Sequence, residues 1–542
     1  MKKKLLAGIL ALALCSTNML PQTIFAEEFT SGNPDVVSEE ETPEIFTNEE
    51  QEAAGETDEE LSVFSSEEIP EFNDTPDEAM AAAENEQAGE IDLADNDKVI
   101  NGVYTIRSAG DHKFTCSRET GNRIVVDGGN TSEQDNINIY LNKVNINTST
   151  GPALRINVNV KATVTIYLTG TNNLIAKNTW YAGLQKANTA SLIITTKVLD
   201  PTAGILNAHG SSDGDGAGIG GSNITINSCS VIASSKYGAG IGGNKQGAGS
   251  NITINSASVT ASSTDGAGIG GGLYGDGSDI IINSSSVTAS STNGAGIGGG
   301  KGGAGSNNIT INGGSVKASS VSGSPTNGGK EVYCCTIENP ENANVTIKTG
   351  TGSSVNWKPV NHSSLDPDDT NLYVWLPKLE NNSANSYLII LDPENSSESR
   401  TRNYSFDTVT NTFKAAQVVN DFIFKSPVNL IYDGQPKEAS LEFKFKPTHE
   451  NNRKISLVYY KGNYNDINEN TQPLQGVPVN AGTYTVKAEI EASKSYFAHK
   501  GLVSPKWTFT IEKAPVAPGA DPNETTISVP WSCKKISDIT NP

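Results

Sequence analysis

One short motif, Gly-Ala-Gly-Ile-Gly, occurs four times near the middle of the chain and limits the possible folds more than any other feature. The copies begin at Gly216, Gly238, Gly266 and Gly294, so their starts lie 22, 28 and 28 residues apart. A period of roughly 20 to 50 residues is typical of solenoids and other proteins in which one structural unit stacks on the next. The sequence therefore predicts a stacked repeat between residues 216 and 320.

Each repeat contains three pairs of apolar residues, with one position between the members of a pair. The pairs of one repeat are Ile252 and Ile254, Val259 and Ala261, and Ala267 and Ile269. Such alternation predicts a β-strand with one buried face. Three strands and three corners per turn predict an all-β protein built on a parallel β-helix, and the usual handedness of parallel crossovers makes the coil right-handed.

Stacking also brings equivalent corner residues of successive turns into columns. Asn227, Asn255, Asn283 and Asn312 form one polar column, and Ser230, Ser258, Ser286 and Ser315 form another. Asparagine side chains can hydrogen-bond to one another along such a column, and asparagine tolerates the left-handed backbone that a sharp corner needs. We therefore interpret both columns as structural.

The outward positions of the third strand carry no side chains. They are occupied by Gly218, Gly240, Gly268 and Gly296. Two interpretations stay open, because glycine either relieves crowding beside a closely packed segment or leaves a smooth platform on which a long polymer lies.

Three loops of variable length flank this strand, and insertions at one corner often mark the binding side of a solenoid. The loops span residues 242–251, 270–279 and 298–308. Lys245, Leu273 and Lys301 occupy equivalent positions in them, which predicts two cations on one edge. We interpret this edge as solvated.

The N-terminal part of the chain is typical of an exported protein. Residues 1–26 have the organisation of a secretory signal, with lysines at 2–4 and an apolar run at 5–14 that is too short to span a membrane. Residues 27–97 contain 26 Asp or Glu and no Lys or Arg, which predicts an acidic disordered segment. That segment accounts for the net charge of −22, since residues 98–542 carry +1. The charge argues against nucleic acid as a partner.

The part before the regular repeats resembles a known family. The run Val-Thr-Ile-Tyr-Leu-Thr-Gly-Thr-Asn-Asn-Leu at 164–174, followed by Tyr-Ala-Gly-Leu-Gln at 181–185 and the Gly-Ala-Gly-Ile-Gly turns, is similar to exported bacterial β-helix proteins described as carbohydrate-binding. The resemblance covers residues 98–350 and implies a pectate-lyase-like coil that binds acidic or cellulosic polysaccharide, often with calcium. We expect about seven turns between residues 137 and 318, preceded by a cap at 98–130.

Two further regions follow this coil. The apolar runs at 372–376 and 387–391 predict a small β connector over residues 351–418. The run Val-Thr-Ile at 345–347 is expected to form a last turn of the coil. At the other end of the chain, residues 514–542 predict a Pro-rich linker and the incomplete start of a further module, so we expect a truncated or a released protein.

Residues 419–513 predict a separate β-sandwich, because short strands recur between turn residues. Its motifs Ile-Tyr-Asp-Gly at 431–434, Asn-Ala-Gly-Thr-Tyr-Thr-Val at 480–486 and Trp-Thr-Phe-Thr-Ile at 507–511 closely resemble the immunoglobulin-like repeats, named for Tyr-Asp-Gly, of large bacterial surface proteins. The resemblance implies a spacer or adhesion module. In it, Asp433-Gly434 would form a turn, and Tyr484 and Trp507 would fill the core.

No group of residues in the sequence has the spacing of a catalytic or metal site. The mature chain would keep an odd number of cysteines, Cys116, Cys229, Cys334, Cys335 and Cys533, and the histidines are scattered at His112, His209, His362, His449 and His499. Neither a disulfide framework nor a zinc site fits these spacings. Two aspartate pairs, Asp213 with Asp215 and Asp276 with Asp279, are possible calcium ligands, although aspartate also forms turns. We therefore predict no catalytic, cofactor-binding or metal-ligating residues.

These observations leave three functional hypotheses. The first is an exported cell-surface or secreted protein whose β-helix binds polysaccharide or a host or cell-surface glycan, with the immunoglobulin-like module as a spacer. The second is a polysaccharide lyase or hydrolase on the same scaffold, which would need clustered carboxylates and a basic residue on one face. The third is a passive stalk that binds proteins.

Overall fold

The computed structural model describes residues 89–515 with short gaps. The gaps are 129–131, 188–189, 198–203, 305–307, 340–342, 351, 356–368, 380–385, 393–398, 446 and 448–450. The predicted signal at 1–26, most of the acidic segment and residues 516–542 lie outside the described residues. In the part of the chain that the structure describes, no helix has the length and hydrophobicity needed to cross a membrane.

The described chain is all-β, and its larger part is a parallel β-solenoid with three walls. The first wall contains β1 (Ile91–Asp92), β3 (Gly110–Thr115), β5 (Asn136–Asn142), β8 (Thr163–Ala176), β10 (Ser191–Thr196), β13 (Ile224–Asn227), β16 (Gly249–Asn255), β19 (Gly277–Ser291) and β21 (Ile309–Ala318). The second wall contains β6 (Asn145–Thr148), β11 (Gly204–His209), β14 (Ser230–Ser234), β17 (Ser258–Ser263) and the C-terminal parts of β8, β19 and β21. The third wall contains β2 (Val103–Ile106), β4 (Arg123–Val126), β7 (Leu154–Ile156), β9 (Leu184–Lys186), β12 (Ile219–Gly220), β15 (Ile241–Gly242), β18 (Ile269–Gly270) and β20 (Ile297–Gly298).

The strand register confirms the columns that the repeat predicts. Ile224, Ile252, Ile280 and Ile309 are successive partners in the first wall, and Ala208, Ala233, Ala261 and Ala289 are successive partners in the second. Their side chains lie in one elongated core built almost entirely of Ile, Val, Leu and Ala. First-wall strands from β5 to β21 make the seven expected turns.

A ladder of asparagine side chains closes the corner between the first and second walls, as predicted. Asn255 donates to Asn227 at 2.9 Å, Asn283 donates to Asn255 at 2.8 Å, and Asn312 donates to Asn283 at 2.8 Å. The left-handed residue of this corner is the one that follows each asparagine, with φ of 48° at Ser256. The asparagines stay in the strand, so they serve as hydrogen-bonding residues and the next residue makes the turn.

The glycine column of the third wall is buried. A Cβ atom at Gly268 would lie 2.7 Å from both the Gly296 carbonyl oxygen and the Ser290 nitrogen, and Gly218 and Gly240 have the same surroundings one and two turns away. The backbone at these positions of the third wall therefore lies directly against the backbone of second-wall strands, and only glycine fits there. The interpretation of crowding is confirmed, whereas the smooth outer platform is wrong.

The solenoid begins earlier and ends earlier than predicted. Ile91 and Leu93, which fall inside the predicted acidic segment, are buried, and β1 pairs with β3. Residues 98–130 supply β2, β3 and β4, which are ordinary solenoid strands and not a separate cap. The last parallel pairing of the solenoid is the one between Thr310 and β22 (Thr326–Asn327). Ile91-Asp92-Leu93 has only two apolar residues around one polar residue, and so short a pattern can be recognised as a strand only when its partner strand is known.

An antiparallel sheet with its own core follows the solenoid and covers its C-terminal end. Its strands are β23 (Lys330–Glu338), β24 (Asn344–Thr349), β25 (Asn371–Pro377), β26 (Ser386–Asp392), β27 (Arg400–Asp407) and β28 (Thr412–Ala415). Trp375 of β25 donates its indole N–H to the Val316 carbonyl at 2.9 Å, and the Tyr373 amide donates to Ser315 Oγ at 3.0 Å. The expected connector is thus a cap that starts at residue 330. Residues 345–347 belong to it, since β24 pairs antiparallel with β26.

The C-terminal part forms a third core between small antiparallel sheets. Its elements are the 3-10 helices Val419–Asp421 and Tyr464–Asp466 and the strands β29 (Phe422–Lys425), β30 (Ser440–Phe443), β31 (Ile455–Lys461), β32 (Gly482–Ile490) and β33 (His499–Ile511). Tyr484 and Trp507 are buried in this core, and Gly434 has a φ of 76° in the turn after Asp433, as predicted. The amide of Ala415 donates to the Ser495 carbonyl at 2.8 Å, which joins this part to the cap sheet.

Candidate functional site

The variable loops at the third corner stack on one another through their backbones. The Gln246 amide donates to the Leu273 carbonyl at 2.7 Å, and the Tyr274 amide donates to the Lys301 carbonyl at 2.9 Å. The loops also lie against the second corner of the turn before, because the amides of Lys245, Leu273 and Lys301 donate to the carbonyls of Asp215, Tyr237 and Asp265. We call these six residues together with Tyr274 the loop edge.

The lysines of the loop edge are paired with carboxylates. Lys245 lies 3.3 Å from Asp215, and Lys301 lies 3.7 Å from Asp265. In the turn between them the equivalent positions are Leu273 and Tyr237, so an apolar pair replaces the ion pair. The two cations that the sequence predicted on this edge are therefore both paired with carboxylates, and an aromatic ring lies in the turn between them. The lysines of both pairs reach solvent, whereas the side chains of Asp215 and Asp265 are only 21% and 14% exposed.

Tyr274 is the most unusual residue of the loop edge. Its side chain is 60% exposed, and its φ of 62° is rare for a bulky residue. A Cβ atom at Gly302, the equivalent position in the next loop, would lie 2.7 Å from the Tyr274 ring, so the ring rests on bare backbone. An exposed aromatic face is held in place here. Nothing in the sequence distinguishes Tyr274 from other loop residues, because its conformation depends on the stacked loops.

The two aspartate pairs that were considered as possible calcium ligands are engaged in other contacts. Asp213 pairs with Lys236 at 3.1 Å, and Asp215 pairs with Lys245. Asp279 accepts a hydrogen bond from Asn308 at 3.0 Å. These two residues belong to a further polar column, with Asn223 and Asn251, that sequence reasoning missed. Asp276 accepts one from the amide of residue 304. Within the described ranges, no three His, Cys, Asp or Glu side chains come together as a metal group.

A pocket of about 360 Å³ lies at the second corner, beside the loop edge. We call it the corner pocket and define it by the side chains of Lys177, His209, Ser211, Ser234, Lys236 and Thr264. His209 Nδ1 lies 2.6 Å from Ser234 Oγ, and burial lowers the pKa of the imidazole. The imidazole is therefore neutral at pH 7. Sequence reasoning treated His209 as one of several scattered histidines.

The described cysteines do not form a site. No disulfide joins the described cysteines Cys116, Cys229, Cys334 and Cys335, and Cys533 lies outside the described residues. Burial raises the pKa of the Cys229 thiol to about 12, so this residue is an unreactive thiol in the core. It occupies the column of Ala257, where a small apolar residue suffices.

Comparison with known proteins identifies the repeat. A family model described as Beta helix repeat matches residues 224–245, 252–273, 280–301 and 309–328. Each match begins at a first-wall strand, so the unit of the family model is one turn of the solenoid. No curated protein matches the chain, and no solved structure matches it.

Proposed function

We propose that this protein is an exported cell-surface or secreted protein whose solenoid binds polysaccharide along the loop edge. The observation that carries the proposal is Tyr274, an exposed ring held on the bare backbone of Gly302. Sugar rings present C–H groups that pack against an aromatic face, while their hydroxyls need polar partners nearby. The paired residues Lys301 and Asp265 lie in an adjacent part of the same edge and offer both donors and acceptors.

The stacked geometry also suits an elongated ligand. The loops repeat once per turn, and turns lie about 4.8 Å apart, so equivalent groups recur along the edge at that spacing. A polymer of repeating sugars would meet Asp215, Tyr237 and Asp265 in succession. The extracellular location rests on the signal sequence at residues 1–26.

The finer fold assignments belong to the same proposal. We infer a right-handed coil from the crossover rule. We also infer an immunoglobulin-like spacer at residues 419–513. The Tyr484 hydroxyl there donates to the Asn480 carbonyl at 2.7 Å, which is the hydrogen bond of a tyrosine corner.

Affinity measurements on Tyr274 variants test the proposal. The protein is first screened on an array of neutral and acidic polysaccharides, and the affinity of each binder is then measured for Y274A and Y274F. We expect Y274A to bind roughly 10-fold more weakly and Y274F to bind like the wild type, because stacking requires the ring and not the hydroxyl. Y464A is the matched control, since Tyr464 is an exposed tyrosine in the C-terminal part, away from the solenoid. If no polysaccharide on the array binds, polysaccharide binding is rejected and the protein-binding stalk is favoured. If Y274A binds with the same affinity as the wild type, the binding site does not lie on the loop edge.

A further inference from the structure

One turn of the solenoid departs from its neighbours at the second corner. The step from Ala233 to Ala239 is six residues, as it is in the next two turns, whereas the step from Ala208 to Ala217 is nine. The Gly210 amide and the Gly214 carbonyl form the same backbone hydrogen bonds to the following turn as the Ser235 amide and the Lys236 carbonyl form one turn later. The three additional residues are therefore 211–213. Residue insertions in solenoids map to one face, which is often the binding face.

The insertion borders the corner pocket, and the pocket collects hydrogen-bond donors from successive turns. Lys177, His209 and Lys236 come from three of them, and the hydroxyls of Ser234 and Ser211 lie between. Lysine ammonium groups and serine hydroxyls can donate to an oxyanion. Because His209 and Ser234 bond to each other, one further proton of that pair is left to donate, either from His209 Nε2 or from Ser234 Oγ. The only carboxylate that the described residues place against these cations is Asp213, whose side chain is 77% exposed and pairs with Lys236. Lys177 has no ion-pair partner among the described residues.

We propose that the corner pocket binds an oxyanion substituent, a carboxylate or a sulfate, of the polysaccharide that lies on the loop edge. The inference rests on the proposed function and narrows it to acidic polysaccharides. Its basis is the cluster of donors around a pocket that the insertion borders, with one exposed carboxylate beside them.

The pocket and the loop edge are continuous through Tyr237. Lys236 Nζ lies 4.9 Å from the centre of the Tyr237 ring, and Lys245 Nζ lies 5.5 Å from the same ring. Lys236 lines the pocket and Lys245 belongs to the loop edge, so one ring separates the two surfaces. A sugar chain on the edge therefore has a charged substituent within reach of the pocket.

The exposed ion pair beside the pocket is compatible with anion binding. The Lys236–Asp213 pair lies at the surface, where such pairs contribute about 1 kcal/mol or less. A bound oxyanion can take the place of Asp213 at Lys236 at little cost. His209 is held by Ser234 in either tautomer, so the imidazole stays oriented when the ligand enters.

The test compares acidic polysaccharides with neutral counterparts of the same backbone. The probes are polygalacturonate against its full methyl ester, and dextran sulfate against dextran, with inorganic sulfate as a small-molecule probe. The variants are K177Q and H209Q. K500Q serves as the control, because Lys500 is an exposed lysine on β33 in the C-terminal part. Thermal unfolding of every variant checks that the fold is retained.

We expect K177Q to weaken binding of at least one acidic probe roughly 10-fold, because a charge-assisted hydrogen bond is lost, and to leave the neutral counterpart unchanged. H209Q should act in the same direction, and K500Q should have no effect. A preference for polygalacturonate would assign a carboxylate, and a preference for dextran sulfate or inorganic sulfate would assign a sulfate.

The two proposals fail separately in this design. If polysaccharides bind in a Tyr274-dependent manner but K177Q and H209Q bind acidic and neutral probes like the wild type, the loop edge stands and the pocket inference is overturned. A second outcome is that no polysaccharide binds, whereas inorganic sulfate binds and the K177Q substitution abolishes sulfate binding. The corner pocket would then be an anion site, and polysaccharide binding at the loop edge would be rejected. If neither polysaccharide nor sulfate binds, both are overturned.

Discussion

The late and early turns of the solenoid share one backbone but differ in how uniform their side chains are. From Ile224 to Ala318 nearly the same residue recurs at each column, whereas the earlier turns keep the inward alternation and the strand register with more varied residues. They have an asparagine column at a different place, in which Asn173 donates to Asn145 and Asn207 donates to Asn173. Both stretches contribute to a single core. Buried strands in register are therefore common to both stretches, whereas the position of the polar column changes. In the early turns, some residues differ from the type that recurs in their column. Because the fold of the coil does not require these residues, they are candidates for a role in function.

Lys186 is the clearest irregularity inside the early turns. It occupies the column of Ile106, Val126 and Ile156, all of which are buried, and it is itself only 4% exposed. Its Nζ donates to the Ala187 carbonyl at 2.8 Å, and burial lowers its pKa to about 8. The regular turns have no such buried charge at an inward position. Three substitutions test how the regular late turns and the less regular early turns differ in stability.

The largest effect is expected from G268V in a regular turn. A side chain at this position meets backbone atoms at 2.7 Å on two sides, and backbone cannot move aside as a flexible side chain can. We expect a loss of about 3 kcal/mol in the free energy of unfolding, measured by denaturant titration. G89A is the control, because a Cβ atom at Gly89 meets nothing within 4 Å. A tolerated valine at 268 would show that the third wall can separate from the strand beneath it.

A gain in stability is expected from K186M in an early turn. The substitution removes a buried charge from an apolar column, so we expect an increase of about 2 kcal/mol at pH 7. The folded state of the wild type releases the lysine proton near pH 8 and the unfolded state near 10.5, so the folded state binds fewer protons between these values. Wild-type stability should therefore rise with pH across that window, and K186M should not show the rise. Parallel pH profiles of the two proteins would contradict the burial of this charge.

The smallest effect is expected from N255A in the asparagine ladder. Asn255 donates to Asn227 and accepts from Asn283, so the alanine variant loses two hydrogen bonds. We expect a loss of roughly 1 to 2 kcal/mol, whereas N312A at the end of the ladder loses one bond and about half as much. Thermal unfolding of the two variants measures the difference. If N255A and N312A lose the same amount of stability, the hydrogen bonds of the ladder do not contribute independently of one another.

Several features of the molecule could be predicted because they repeat. The columns of Ile252 and Asn255 follow from constant spacing, since residues at the same phase of a stacked turn must become neighbours. Burial of Trp507 and the turn at Gly434 were predictable from local motifs. By contrast, the strand at Ile91 and the antiparallel pairing of residues 345–347 were not, because each depends on a partner that no period identifies.

The candidate site was only partly predictable. The equivalence of Lys245, Leu273 and Lys301 follows from loop alignment, but their pairing with residues 30 or so positions earlier depends on how the loops fold back. The exposure of Tyr274 and the meeting of His209 with Ser234 also depend on contacts between turns. No sequence spacing distinguishes these residues from their neighbours.

By itself, the sequence determined the solenoid, its turns and its ladder, because a fixed period and alternating apolar residues leave one way to bury every strand. Only the tertiary structure decided that the glycine column is buried, that an antiparallel sheet covers the end of the coil, and that donors from three turns surround one pocket. Those features arise where the period is interrupted or where backbones approach closely. There, the outcome depends on which distant residues come into contact and not on the local pattern.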